Sequence, residues 1–160
     1  MQSDDLKIQI KTFFGLEPIL AEEIKKLGGR NVEIKNRAVN CEGDLGFLYK
    51  INYSARTALK ILVPIYEFKA YNERKFYEKL SRLPWDDYMK LNQTFAIDST
   101  IYSERFSHSQ KKKKKMKDAI VDFFSKNYNS RPALDTKEPD INFHFHIDRD
   151  LVPISLASSG

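Results

Sequence analysis

The chain has 160 residues, is 41% hydrophobic and 31% charged, and carries a formal net charge of +5. That length supports one core or two small ones, and the composition excludes a chain disordered throughout. The longest apolar run is far too short for a membrane span and the start, MQSDDLKIQI, lacks the basic and apolar stretches of a signal peptide, so a cytoplasmic location is expected. The single Cys41 excludes an internal disulfide framework and reads as a small buried apolar residue.

Residues Leu6 to Phe14 alternate, with Leu6, Ile8 and Ile10 on one face and Lys7, Gln9 and Lys11 on the other, the period of a half-buried strand. A helix follows. Leu16, Ile19, Leu20, Ile24 and Leu27 make its apolar stripe, Pro18 fits its first turn, and Gly28-Gly29 stop it. Val32–Ile34 and Ala38–Cys41 read as two strands about a turn at Asn36-Arg37. Asp44 caps a second helix with Leu45, Leu48 and Tyr49 inward, and Ala58–Phe68 is a long strand containing Pro64. The order strand, helix, strand, strand, helix, strand is a split βαβ, or ferredoxin-like, unit over residues 1–70. Proline keeps to edge strands and bulges, and the last strand of this topology lies at a sheet edge.

A second unit, residues 71–160, is α/β as well, so the fold class is α+β. Asn72–Leu83 is a helix with Phe76, Leu80 and Leu83 on its apolar face, closed off by Pro84-Trp85. Trp85 is expected in the core, with base stacking as the other reading. Thr94–Tyr102 is strand-like, with Phe95 and Ile97 facing one way and Ala96 and Asp98 the other. After a polar loop over Tyr128–Asp140, Ile141–Ile147 and Leu151–Leu156 form two strands around Asp148-Arg149-Asp150. The chain stops directly after a strand, which reads as a cut, so a fragment of a longer protein is expected.

One stretch concentrates the charge. From Glu104 to Lys117 there are seven basic residues and one acid, a local +6 that leaves the remainder near −1. Ser107 and Gln110 have capping-box spacing, and Met116, Ile120, Phe123 and Phe124 follow at helical spacing, so Lys111, Lys112, Lys113, Lys114 and Lys115 fall in the first turns of a helix. There the macrodipole is already positive and backbone N–H groups lack partners, so an anion is the natural complement. Lys112 and Lys113 continue the apolar stripe, so either the turns project beyond the core or the lysine stems snorkel out of it. Phosphate contact is expected from all five, flanked by Arg105, Lys117 and Arg131, and the bland reading is a solvated helix face.

Tyr102, Phe106, His108 and Arg131 could offer stacking surfaces to unpaired bases, with core packing the simpler reading for the aromatics. His144 and His146 share a strand face and His108 is a conceivable third ligand, but no carboxylate or cysteine completes a metal set, and two partly exposed histidines are expected. Glu22-Glu23 and Asp86-Asp87 are adjacent pairs that point apart. No Gly-rich cofactor turn, nucleophile elbow or HExxH is present, so no catalysis is expected of the chain alone.

Gly15-Leu16-Glu17, Leu20, Glu23, Ile24 and Leu27-Gly28 resemble the opening signature of bacterial THUMP-containing ribosomal RNA guanine methyltransferases. Ser109-Gln110, Lys117-Asp118-Ala119-Ile120-Val121-Asp122 and the loop with Arg131-Pro132, Asp135 and Pro139-Asp140-Ile141 resemble their THUMP domain. The resemblance implies a ferredoxin-like domain and an RNA-binding THUMP domain that presents RNA to a methyltransferase domain further along the chain. That domain would use S-adenosylmethionine, through a Gly-rich loop and an Asn-Pro-Pro-Tyr type motif that do not occur here. Such proteins are often labelled adenine-specific DNA methylases. The family usually carries small or apolar residues where Lys111–Lys115 stand, and Asp where Ala157 stands.

The expected function is the RNA-binding, substrate-delivery part of such an enzyme. Alternatives are a protein-interaction module docking an acidic partner, an adenine methylase fragment, and a complete small enzyme with an unrecognised site.

Overall fold

Strand β1 (Leu6–Lys11) buries Ile8 and Ile10 and ends at Lys11, so Phe13 and Phe14 lie in the following loop and not in the strand. The computed structural model describes residues 5–100, 106–147 and 150–157, with backbone alone at 100 and 106–109. Helix α1 (Glu17–Lys26) has Pro18 in its first turn and buries Glu17, Leu20, Ala21 and Ile24. Ile19, one helical step off that stripe, is exposed, contrary to its expected place in it. A Schellman motif closes the helix: Gly29 N–H donates to Ile24 O and Gly28 N–H to Lys25 O, with Gly28 at φ +104°.

Strands β2 (Arg30–Lys35) and β3 (Ala38–Gly43) form the hairpin around Asn36-Arg37. Helix α2 (Leu45–Ser54) starts at Asp44, whose carboxylate accepts the Phe47 N–H at 2.8 Å. Its inward residues are Phe47, Leu48 and Ile51, whereas Leu45 and Tyr49 are exposed. This short helix offers two apolar stripes, and the ring of Phe47 decides between them by packing over Gly43, where a Cβ would come within 2.2 Å of it. Strand β4 (Lys60–Lys69) completes the first unit's sheet in the order β2-β3-β1-β4, with β3 antiparallel to both β2 and β1. That is the ferredoxin-like arrangement.

The boundary between the two compact units falls after Pro64, inside β4. Pairing of β4 with β1 covers only Lys60, Ile61 and Leu62, so the missing Pro64 N–H costs that ladder nothing. The strand is not a free edge along its length, however. Beyond β4 the sheet order continues with β7 (Leu151–Ala157), β6 (Ile141–His146) and β5 (Phe95–Thr100). Proline is tolerated here because it lies beyond the stretch paired with β1.

In this second unit β5 and β6 are parallel and β6 and β7 antiparallel. A parallel pair needs a long crossover, and α4 (Phe106–Tyr128) lies in it. Helix α3 (Glu73–Ser81), capped by Asn72, buries Phe76 and Leu80. Trp85 opens a short 3-10 turn (Trp85–Asp87). It is fully buried, donates its Nε1–H to Leu80 O at 2.7 Å and meets Phe143 edge-on at 5.1 Å. That settles it as a core residue and excludes base stacking. His144 is buried in the middle strand β6, not partly exposed, because strands flank it on both sides; His146 is half-buried.

Candidate nucleic-acid interface

Helix α4 carries the lysines expected at the interface, and its phase follows from its apolar side chains. Met116, Ala119, Ile120 and Phe124 are buried at spacings of three and four, which fixes one face against the core of the second unit. Lys112 and Lys113 extend that line toward the N-terminus and are half-buried. Lys113 Nζ stands 3.8 Å from Asp98 Oδ1 on β5. The stems therefore snorkel along the edge of the core, one of the two arrangements expected. Lys111, Lys114 and Lys115 lie on the opposite side and are exposed, and Lys117 is half-buried.

The start of the helix corrects the capping expectation. Phe106 is already helical, so Ser107 lies within the helix and not before it. The lysines then occupy the sixth to tenth helical positions. The dipole acts within the first turn, so the lysines attract an anion through their own ammonium charges, not by sharing a helix N-terminus with it. Arg105 and Tyr102 lie outside the described residues, as do the side chains of Phe106 and His108.

Arg131 is exposed just beyond the other end of α4. At 1.5 Å per residue, about 25 Å of helix separates Lys111 from Tyr128, so Arg131 and the lysines do not share one patch. Arg131 begins a loop laced to the start of β5. Phe95 N–H donates to Ala133 O and Asp135 N–H to Phe95 O, while Asp140 Oδ2 accepts the Thr94 N–H at 2.9 Å.

The remaining candidates have structural partners. Glu23 accepts hydrogen bonds from the Arg56 and Thr57 N–H groups and the Thr57 hydroxyl, Glu22 stands 3.7 Å from Lys25, and Asp86 accepts the Tyr128 hydroxyl at 2.5 Å. Tyr77 donates its hydroxyl to Asp122, which pushes the phenol up to about 12 and ties α3 to α4. Cys41 is buried, and burial pushes its thiol up to about 11. Among the described residues no group of three His, Cys, Asp or Glu could hold a metal ion, and no helix is long and apolar enough to cross a membrane. Sequence reasoning missed Asp98 as the partner of Lys113; its place beside a basic helix was the available signal.

Comparison with known proteins agrees with this layout. The THUMP domain family matches residues 70–157, and the RlmL ferredoxin-like domain matches residues 7–62. The chain is 35% identical over 146 residues to the ribosomal RNA large subunit methyltransferase K/L of Syntrophotalea carbinolica, covering 91% of this chain and 20% of that protein. It is 34% identical over 151 residues to the protein of the same name in Psychromonas ingrahamii, covering 94% of this chain and again 20% of the relative. A crystal structure described as a predicted N6-adenine-specific DNA methylase from Listeria monocytogenes superposes with a TM-score of 0.78 at 25% identity. It covers 98% of this chain and 41% of that one. The chain thus spans a fifth of the length of the two curated relatives.

Proposed function

Because this chain belongs to the THUMP-domain family, we propose that it binds structured RNA and delivers it to a methyltransferase domain carried on a longer polypeptide. Residues 1–70 and 71–160 act as two domains in this reading. The contacts are chiefly to phosphate, from Lys111–Lys115 with Arg105 and Lys117, and from Arg131 as a separate point on the same RNA. The observation that carries the reading is the exposed row Lys111, Lys114 and Lys115 on the outer side of α4, inside the THUMP match. Ammonium groups there release counterions from a phosphate backbone without reading bases. The relatives' names supply the substrate class, ribosomal RNA, and with it a cytoplasmic setting.

S-adenosylmethionine serves such a methyltransferase, and this chain's own residues do not fit it. Gly15 lies between a strand and a helix, where a phosphate or carboxylate would be cradled, but Glu17 already occupies the donors there. Its carboxylate accepts Gly15 N–H at 2.8 Å and Arg37 N–H at 2.9 Å. In this reading the cofactor is held by the methyltransferase domain of the longer protein.

The test is the affinity of the chain for a structured ribosomal RNA fragment as salt is raised. Binding whose logarithm falls linearly with the logarithm of salt is expected. Absence of RNA binding, or RNA binding that does not weaken with salt, would overturn it.

A further inference from the structure

We propose that the loop end of the first unit is a second RNA contact, where Phe13 and Phe14 stack on unpaired bases and Lys35, Arg37 and Arg56 hold the flanking phosphates. It rests on the reading of the chain as an RNA binder.

Phe13 and Phe14 are 60% and 75% exposed, neighbours in sequence on the loop between β1 and α1. A single exposed aromatic needs no explanation; a consecutive pair on an anchored loop does. Three segments are knitted together at this end. Thr12 N–H donates to Arg37 O at 2.9 Å, the Thr12 hydroxyl to Thr57 O at 2.5 Å, and Leu59 N–H to Lys11 O at 2.8 Å. Glu17 clamps the loop from below through Gly15 and Arg37. The rings therefore project from a fixed base, and a fixed ring loses little conformational entropy when something stacks on it.

The surroundings favour a nucleic acid. Lys35, Ala38, Lys11 and Lys60 lie in one cross-strand row over β2, β3, β1 and β4, so three lysines share a sheet face beside this end. Arg37 holds a φ of +58°, a conformation that glycine or asparagine adopts at less cost, and its side chain is exposed at this turn. Arg56 is exposed on the adjoining loop. The nearby carboxylates are engaged within the protein: Glu17 and Glu23 accept backbone N–H groups, and Glu33 stands 3.1 Å from Lys35. A rim of cations would have to be desolvated beneath an apolar protein partner, whereas phosphates complement it. Every base presents a π-face to an aromatic ring, and RNA-binding surfaces combine such rings with cationic tracks.

The experiment compares two RNA probes, a blunt duplex and the same duplex with a single-stranded extension, using the whole chain. The wild type is expected to prefer the extended probe. Phe13→Ala/Phe14→Ala should lose about tenfold or more on the extended probe and little on the blunt one. Phe13→Leu/Phe14→Leu, which keeps apolar bulk without the ring, should lose nearly as much, and Phe13→Tyr/Phe14→Tyr should retain binding. Wild type that binds neither probe overturns the RNA reading and this inference with it. Wild type that binds while the alanine variant matches it on both probes overturns this inference alone.

Discussion

The two sides of α4 should contribute differently to RNA binding. Replacing Lys111, Lys114 and Lys115 together by alanine removes three exposed ammonium groups from the outer side. At about 0.9 per neutralised phosphate on a double helix, the slope of log affinity against log salt should fall by about 2.7. Between about 50 and 200 mM salt, the wild type's loss of affinity should then exceed the variant's by about 40-fold. Alanine is the better helix former by a few tenths of a kcal/mol per site, so weaker binding cannot be ascribed to a melted helix. Lys113→Ala should change the slope by about one or less, because Lys113 is half-buried and 3.8 Å from Asp98, a pair worth about 0–1 kcal/mol. Asp98→Ala should steepen the slope, since it removes the carboxylate beside that ammonium. Fluorescence anisotropy titrations at four or more salt concentrations measure all of these. A triple variant whose slope lies within one unit of wild type would refute the assignment of the outer side of α4 to phosphate.

Three further outcomes test the scaffold. Trp85→Ala should cost about 3–5 kcal/mol in urea unfolding, because the ring is fully buried and donates to Leu80 O; a loss under about 1 kcal/mol would contradict its place in the core. Cys41, with its thiol pushed up to about 11 by burial, should resist thiol reagents at pH 8 in the native chain and react promptly in denaturant; equal rates would contradict its burial. Backbone N–H donation from Arg37 holds the Glu17 carboxyl below the ordinary carboxylate value. A depressed folded value means the stabilisation is complete above the unfolded value and drains as pH falls through the folded one. The melting temperature of wild type should thus fall more steeply than that of Glu17→Gln as pH drops below the ordinary carboxylate range, and parallel curves would sink the clamp.

How much of this was legible in the sequence depended on whether a local rule met competition. The alternation at Leu6–Lys11, the glycine pair after α1 and the Asp44 cap each have one structural reading, and each formed. Helix α2 offered two apolar stripes, and the choice of Phe47 and Ile51 over Leu45 and Tyr49 goes with the packing of the Phe47 ring over Gly43, a tertiary fit that helical spacing alone cannot show. His144 looked half-exposed because a strand's sequence does not say that it will lie between two others. Phe13 and Phe14 extended the apolar tail of β1 and so passed for strand. The basic helix was recognisable from its residues, but its cap was not: Ser107 has a capping residue's chemistry, yet it lies inside the helix. With 23 residues in α4, Arg131 falls far from the lysines it was grouped with.

That displacement along the helix also determines the selectivity these contacts can have. An anion at a helix N-terminus is fixed by several backbone N–H groups of set direction, and such a site discriminates by geometry. Lysines at the sixth to tenth positions instead present charges on four-carbon stems, which adapt to many phosphate positions and read no base. Stacking on Phe13 and Phe14 would be similarly indifferent, since any base supplies a π-face. Both sets of contacts therefore respond to where the RNA is duplex and where it is unpaired, not to its sequence. The consequence is measurable. Exchanging every base pair of a bound duplex while keeping its length and its single-stranded extension should leave the affinity of this chain unchanged within about threefold, because only shape and charge are being read. A larger loss would mean that base-edge contacts exist on surfaces other than α4 and the Phe13-Phe14 loop.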